Sequence, residues 1–294
     1  IFICVGTPPN GNGEADLSYL FKATESASKY LKDYTLIVIK STVPIGVEKE
    51  LEKLIKENSK EQYEFASCPE FLREGSAVYD TRNPDRIVIG TNSKKAVEIL
   101  SDLYKEFNGQ KVICDLTSAQ MIKYTANTLL ATKISFANAI ANICELMGAN
   151  VETVLDGVGL DKRIGRIFLN PGIGYGGSCF PKDISAFIKI AESVGYDFKL
   201  LKAVDEINNN QPLKFVEKIK IEVGSLKDKK IAVLGLSFKP NTDDIREAPS
   251  IKIISQLLDE GASISAYDPK AIENVKKVFG DKIKFTENPA VKEW

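Results

Sequence analysis

No histidine occurs anywhere in the 294 residues, and that absence removes Ser-His-Asp and Cys-His mechanisms together with every histidine metal ligand. Acid and base work is left to Lys, Asp, Glu, Tyr or water. The five cysteines, at 4, 68, 114, 144 and 179, contain no C-x-x-C pair and are odd in number. This argues against a disulfide framework and against a zinc or other metal site, and fits a reducing cytoplasm. No run approaches the roughly 18 consecutive apolar residues of a membrane span, and the apolar start Ile1-Phe2-Ile3-Cys4-Val5 has neither the length nor the flanks of a signal peptide. Charge of either sign is not in excess: 39 Lys and Arg oppose 40 Asp and Glu for a net −1, which offers no electrostatic case for nucleic acid or a membrane surface. What remains is an ordinary globular composition, 44% hydrophobic and 27% charged, long enough for two or three compact units.

The pattern along the chain is α/β. An apolar strand over residues 1–6 ends at Gly6-Thr7-Pro8-Pro9, a helical pattern runs from Ser18 to Leu31, and Leu36–Ile39 reads as a second buried strand. A helix over 46–57, strands at 63–66 and 86–89 and a helix over 94–107 continue the alternation, which predicts a parallel sheet in a first domain, residues 1–112. From Thr117 to Met147 apolar residues recur at helical spacing with no proline or glycine. One long helix is expected there, apolar on more than one face, and such a helix needs cover from other helices or from a second subunit. Further helices near 151–158, 183–194 and 198–222 give a helical middle domain, residues 113–225. A strand at 230–236, a helix over 249–260 and a strand at 263–267 open a second α/β unit, residues 226–294.

Five constellations are candidates for chemistry. Gly174-Tyr175-Gly176-Gly177-Ser178-Cys179-Phe180-Pro181-Lys182-Asp183 places a cysteine just before a helix start, where the helix terminus and Lys182 both favour a thiolate. Glu70 and Glu74, four apart, would share a face if Pro69–Gly75 formed a helical turn. Lys123 and Asn127 have the same spacing on the long helix. Gly6–Pro9 and Ser41-Thr42-Val43-Pro44 each follow a strand, at the edge where doubly wound sheets take ligands. The loop Phe238–Glu247 mixes both charges and suits a phosphate or sugar. Cys4, Cys68, Cys114 and Cys144 read as packing residues.

Taken together, Val5–Pro8, Ser41–Pro44, Pro69–Gly75, Asn83-Pro84-Asp85-Arg86, Lys123 with Asn127, Gly174–Asp183 and Phe238–Glu247, in that order, resemble the nucleotide-sugar 6-dehydrogenases of the UDP-glucose/GDP-mannose dehydrogenase family over nearly the whole chain. The resemblance implies two Rossmann-like parallel-sheet domains joined by a long central helix and a helical middle domain. It implies an NAD-dependent, four-electron oxidation of a sugar-nucleotide alcohol to a carboxylate, through a thiohemiacetal and a thioester on Cys179. UDP-glucose is the expected substrate, with GDP-mannose or a UDP-N-acetylhexosamine as alternatives, and a homodimer through helix 117–147 the expected assembly. A non-catalytic core that only binds a sugar nucleotide is the alternative of another class.

The same resemblance carries roles position by position. Lys123 stabilises an oxyanion, Asp183 works with a water as base, Glu70 assists thioester hydrolysis, and Asn127 and Thr42 complete the catalytic set. Thr7, Thr42, Glu74, Lys182 and Arg246 match cofactor contacts. Substrate contacts match at Glu70, Phe71, Leu72, Arg73, Glu74, Lys123, Asn127, Phe168, Leu169, Asn170, Pro171, Gly172, Gly176, Phe180 and Lys239, and Arg163 matches a residue that reaches the neighbouring subunit's substrate. The family's opening strand, G-x-G-x-x-G turn and ribose-binding acid have no counterpart after Ile1, and its last domain continues further, so the resemblance implies a chain trimmed at both ends and both nucleotide domains incomplete.

Overall fold

A computed structural model of the chain describes residues 1–286 and 288. The backbone divides into two compact units, one of residues 1–127 with 185–197, the other of residues 128–184 with 198 onward.

In the first unit β1 (Phe2–Ile3), β2 (Tyr34–Ile39), β3 (Gln62–Ser67), β4 (Arg86–Gly90) and β5 (Gln110–Cys114) form one sheet in chain order. The last four residues of β2 are all buried, as a strand covered on both faces requires. Helix α1 (Ser18–Ser28) connects β1 to β2 and α2 (Glu48–Asn58) connects β2 to β3, so that these three strands run parallel. On α2 Leu51 and Ile55, one turn apart, are fully buried while its charged residues face outward; each such side chain contributes about 1.5–3 kcal/mol of burial. The expected parallel sheet is interrupted once. β3 and β4 are antiparallel through a single register pair, Ser67 with Gly90, and β4 and β5 are parallel again. That junction admits only glycine: a Cβ on residue 90 would lie 2.3 Å from the Ala119 Cβ and 2.9 Å from the Asp115 carbonyl oxygen.

The strand expected over residues 1–6 is shorter, because β1 lies at the sheet edge and the chain leaves it after Ile3 to take a hydrogen bond from the Ser41 hydroxyl to the Val5 carbonyl, 2.6 Å. Cys4 is consequently exposed rather than packed, whereas Cys68 and Cys144 are buried. Helices α3 (Ala77–Arg82) and α4 (Lys94–Leu103) complete this unit's connections, with Ser93 capping α4 by accepting from the Ala96 amide.

Helix α5 (Leu116–Met147) contributes to both units. In the second, α6 (Val151–Gly159) is capped by the Asn150 side chain, which accepts from the Thr153 amide at 2.9 Å; such a cap contributes about 1 kcal/mol. Helix α7 (Phe180–Ser193) starts in this unit and continues into the first from residue 185, and α8 (Lys199–Val223) belongs to the second. Ala131, Ser135 and Asn138 form a small, fully buried stripe on α5, and the Ser135 hydroxyl donates to the Val204 carbonyl of α8 at 3.0 Å. Large side chains at those positions would hold the helices apart. Beyond them β6 (Lys230–Leu234), β7 (Ser263–Tyr267) and β8 (Lys284–Phe285) make a parallel three-stranded sheet with α9 (Pro249–Asp259) and α10 (Ile272–Phe279) as connections. Its core joins Ile253, Ile254 and Leu257 of α9 to Ile264 of β7 and to Val275 and Phe279 of α10. Among the described residues no helix is long and apolar enough to cross a membrane.

Candidate active site

The first unit builds one cluster around Lys123. Its stem is almost wholly buried on α5, and its ammonium donates to the Glu70 carbonyl oxygen at 2.7 Å and to Glu70 Oε1 at 3.1 Å. The Phe71 ring lies beneath the same ammonium at 5.3 Å and beneath the Arg86 guanidinium at 3.9 Å, an arrangement that adds cation–π attraction. Asn127, one turn along α5, is also buried. The two carboxylates at 70 and 74 do not share a helical face. Residues 69–73 are irregular, Gly75 turns with φ +85°, and Glu70 Oε2 accepts from the Leu72 amide at 2.5 Å. A charged lysine beside a carboxylate gives this cluster both a donor for a developing negative oxygen and a group able to orient water.

Arg73, expected at the substrate, pairs with an aspartate. Its side chain forks onto Asp80 at 2.6 and 3.1 Å, its own amide donates to Asp80 at 2.8 Å, and Ser76 donates to the same carboxylate at 3.0 Å. The Arg73 guanidinium holds the Asp80 carboxyl well below the usual carboxylate range. Leu72 is exposed beside it. At the strand ends the Thr7 hydroxyl donates to the Thr42 carbonyl at 2.8 Å, so β1 and β2 bring these two residues together as their motifs suggested.

The second unit presents Cys179. The residue is exposed and immediately precedes α7, and its carbonyl accepts the Asp183 amide at 2.9 Å, the first bond of the helix. Asp183 is buried, and Lys182 lies 2.5 Å from its Oδ1. The lysine therefore neutralises the aspartate rather than standing free beside the sulfur. The Ser178 hydroxyl is 3.7 Å from Cys179 Sγ.

Glycines let this segment reach the loop that follows β6. A Cβ on Gly176 would meet the Glu247 carbonyl oxygen at 2.2 Å, one on Gly177 the Phe238 ring at 2.6 Å, and the Gly177 amide donates to the Arg246 carbonyl at 2.8 Å. In that loop the Lys239 ammonium sits 5.4 Å from the Phe238 ring centroid, and Arg246 forks onto Asp244 at 2.6 to 2.9 Å. The stretch 163–172 is a second built loop. Phe168 is left-handed, φ +65°, Leu169 is buried, and Arg163 is tied to Asp161 at 2.6 Å.

Several residues escaped the sequence reading. Arg166 donates to Asp156 at 2.6 Å, to Glu152 at 3.0 Å, to the Leu169 carbonyl at 2.6 Å and to Asn170 at 2.7 Å, fixing the loop onto α6. Asn138, Asn208 and Gln211 hold the backbone of Gly172 and Tyr175. The available signal was a run of amides, Asn208-Asn209-Asn210-Gln211, interrupting an apolar helix pattern just before Pro212. Among the described residues no group of three or more His, Cys, Asp or Glu is placed to hold a metal ion.

Three descriptions from the UDP-glucose/GDP-mannose dehydrogenase family match in order: its NAD binding domain over residues 1–108, its central domain over 117–210 and its UDP binding domain over 232–293. The UDP-glucose 6-dehydrogenase TuaD of Bacillus subtilis is 51% identical over 97% of the chain, which spans 62% of that relative's length. The fold matches the structure of a UDP-glucose dehydrogenase from Pyrobaculum islandicum with a TM-score of 0.95 and 41% identity, covering 98% of this chain and 68% of that one. A UDP-D-ManNAc dehydrogenase from Pyrococcus horikoshii is more distant, with a TM-score of 0.81 and 28% identity over 95% of this chain and 68% of the other.

Proposed function

The chain belongs to the UDP-glucose/GDP-mannose dehydrogenase family, and from that premise we propose that it serves an NAD-dependent oxidation of UDP-glucose to UDP-glucuronate with Cys179 as covalent nucleophile. The observation that carries the proposal is Cys179 exposed at the head of α7, one turn from the buried Asp183.

A dinucleotide suits the edge at β1 and β2. Thr7 and Thr42 are joined there, and a Cβ on Gly6 would meet nothing within 4 Å, so the backbone lies open to a ligand. Thr7, Thr42 and Glu74 would hold NAD+ on this side. Lys182 and Arg246, the remaining cofactor contacts drawn from the resemblance, are each paired with an aspartate. When bound, NAD+ would supply the hydride acceptor for both oxidations at C6, that of the alcohol and that of the thiohemiacetal.

Between those events the Cys179 thiolate adds to the aldehyde carbon, forming a C–S bond and placing negative charge on the former carbonyl oxygen. Lys123 stabilises that oxygen by hydrogen bonding. Asp183, with a water, accepts the protons released from the alcohol and the hemiacetal hydroxyl. Glu70 orients the water that attacks the thioester, whose C–S bond breaks to return the thiolate and leave the carboxylate. One alcohol, one water and two NAD+ become one carboxylate, two NADH and three protons. Asn127, Phe168–Gly172, Gly176, Phe180 and Lys239 are assigned to the sugar nucleotide, and Arg163 to that of a neighbouring subunit. We assign residues 1–112, 113–225 and 226–294 to the cofactor, central and UDP-sugar domains, and a cytoplasmic setting to the whole.

The higher identity and TM-score of the UDP-glucose dehydrogenase relative to the UDP-D-ManNAc dehydrogenase favour glucose as the sugar. Turnover measured on UDP-glucose, GDP-mannose and a UDP-N-acetylhexosamine tests this choice: kcat/KM for UDP-glucose should exceed the others by at least about tenfold. Equal rates would remove the assignment, and UDP-glucose binding without NAD+ binding in calorimetry would mark a non-catalytic module.

A further inference from the structure

We propose that Asn208, on α8, is a positioning residue that sets the path of the Gly172–Gly177 segment and so presents the Cys179 sulfur; the second half of this rests on the covalent role proposed for Cys179. Asparagine is a poor interior helix residue because its amide competes for backbone bonds. Here Asn208 is only 7% exposed, and its amide meets both backbone groups of one residue. Asn208 Oδ1 accepts from the Tyr175 amide at 2.8 Å, and its Nδ2 donates to the Tyr175 carbonyl at 3.1 Å. That is the pair of bonds a neighbouring strand would supply.

Pro212, four residues further along α8, has no N–H to offer the Asn208 carbonyl. Gly174 approaches at this point with φ +108°, and a Cβ on it would lie 3.0 Å from Asn208 Oδ1 and 3.4 Å from the Asn208 carbonyl oxygen. Two further amides treat Gly172 in the same way: its N–H donates to Asn138 Oδ1 at 2.7 Å and its carbonyl accepts from Gln211 Nε2 at 3.0 Å. Asn142 fixes Gln211 by donating to its Oε1 at 3.1 Å.

The connection to the sulfur is short. The buried Tyr175 ring meets Phe180 edge to face, 5.7 Å between centroids, and Phe180 is the residue after Cys179. Releasing Tyr175 therefore releases one wall beside the nucleophile, and a misplacement of about 1 Å at a reacting atom costs on the order of a hundredfold in rate.

The test is Asn208→Ala, followed by amide hydrogen exchange and by alkylation with iodoacetamide read peptide by peptide. Exchange at Tyr175 should accelerate about 10- to 100-fold while β6 and α9 keep their protection. Alkylation of Cys179 should change at least about threefold relative to the exposed Cys4, and kcat for UDP-glucose should fall about 10- to 100-fold with a smaller change in KM. Exchange at Tyr175 within about twofold of the parent overturns the proposal. If Asn208→Ala does not fold, Gln211→Met removes the donor to the Gly172 carbonyl, together with the Oε1 acceptor for Asn142, and must release the same segment. Full turnover by Cys179→Ser would remove the covalent role alone, since the exchange result decides on Asn208 independently.

Discussion

Asp268 closes β7 at the place where a dinucleotide fold sets the acid that binds ribose, yet its carboxylate faces its own chain. It is 4% exposed and accepts from the amides of Leu236, Ser237, Lys270 and Ala271 at 2.7 to 3.3 Å. Burial pushes its carboxyl up, but the amide bonds outweigh burial and hold it below the usual carboxylate range. A group with a depressed folded pKa stabilises fully above its unfolded value, near 3.9, and loses that contribution as pH falls through the folded value. Asp268→Asn would turn a donor toward backbone donors and should lower stability at pH 7 by about 1–3 kcal/mol. Urea midpoints would show the gap between variant and parent narrowing below about pH 4; a gap that stays constant with pH would refute the role. Only half of this arrangement is local in the chain: the Lys270 and Ala271 amides follow Asp268 by two and three residues, whereas those of Leu236 and Ser237 lie about 30 residues away in the chain and beside it in space, where no spacing rule reveals them.

Long periodic helices and apolar strands were legible in the sequence, and the elements without a clear apolar pattern were not. α5, α8 and α9 follow their apolar spacing within about two residues, and the strand ends carry Thr7 and Thr42 to a common edge. α3 has six residues, too few for a period to register, and β5 holds only Val112-Ile113 as an apolar pair. The even spacing of Glu70 and Glu74 suggested a shared face, but Pro69 and the left-handed Gly75 keep that stretch out of a helix. Glycine count alone likewise did not say which glycines matter. At Gly176 the obstacles to a side chain are backbone atoms, Glu247 O at 2.2 Å and its carbonyl carbon at 2.7 Å. Gly176→Ala should therefore force the Cys179 loop and the 238–247 loop apart, destabilising the protein by about 1–3 kcal/mol and weakening UDP-glucose binding in calorimetry. A variant with parental affinity and melting temperature would show that the loops tolerate separation.

At the scale of the whole molecule the long helix leaves Leu129, Phe136 and Ile143, seven residues apart, exposed on one stripe of α5, with Leu146 beyond them. Such a stripe suits the homodimer through this helix that the family resemblance leads one to expect. Phe136→Glu should shift sedimentation toward monomer without loss of helix content; an unchanged oligomer would place the interface elsewhere. The central claim, a thiolate that traps an aldehyde between two oxidations, is tested most directly by counting NADH formed per UDP-glucose consumed in the parent and in Cys179→Ser. The parent should yield two NADH and one UDP-glucuronate. Cys179→Ser should form no net acid, with NADH held well below two per sugar, and a serine variant that still delivers two NADH and the carboxylate at the parental rate would contradict the account.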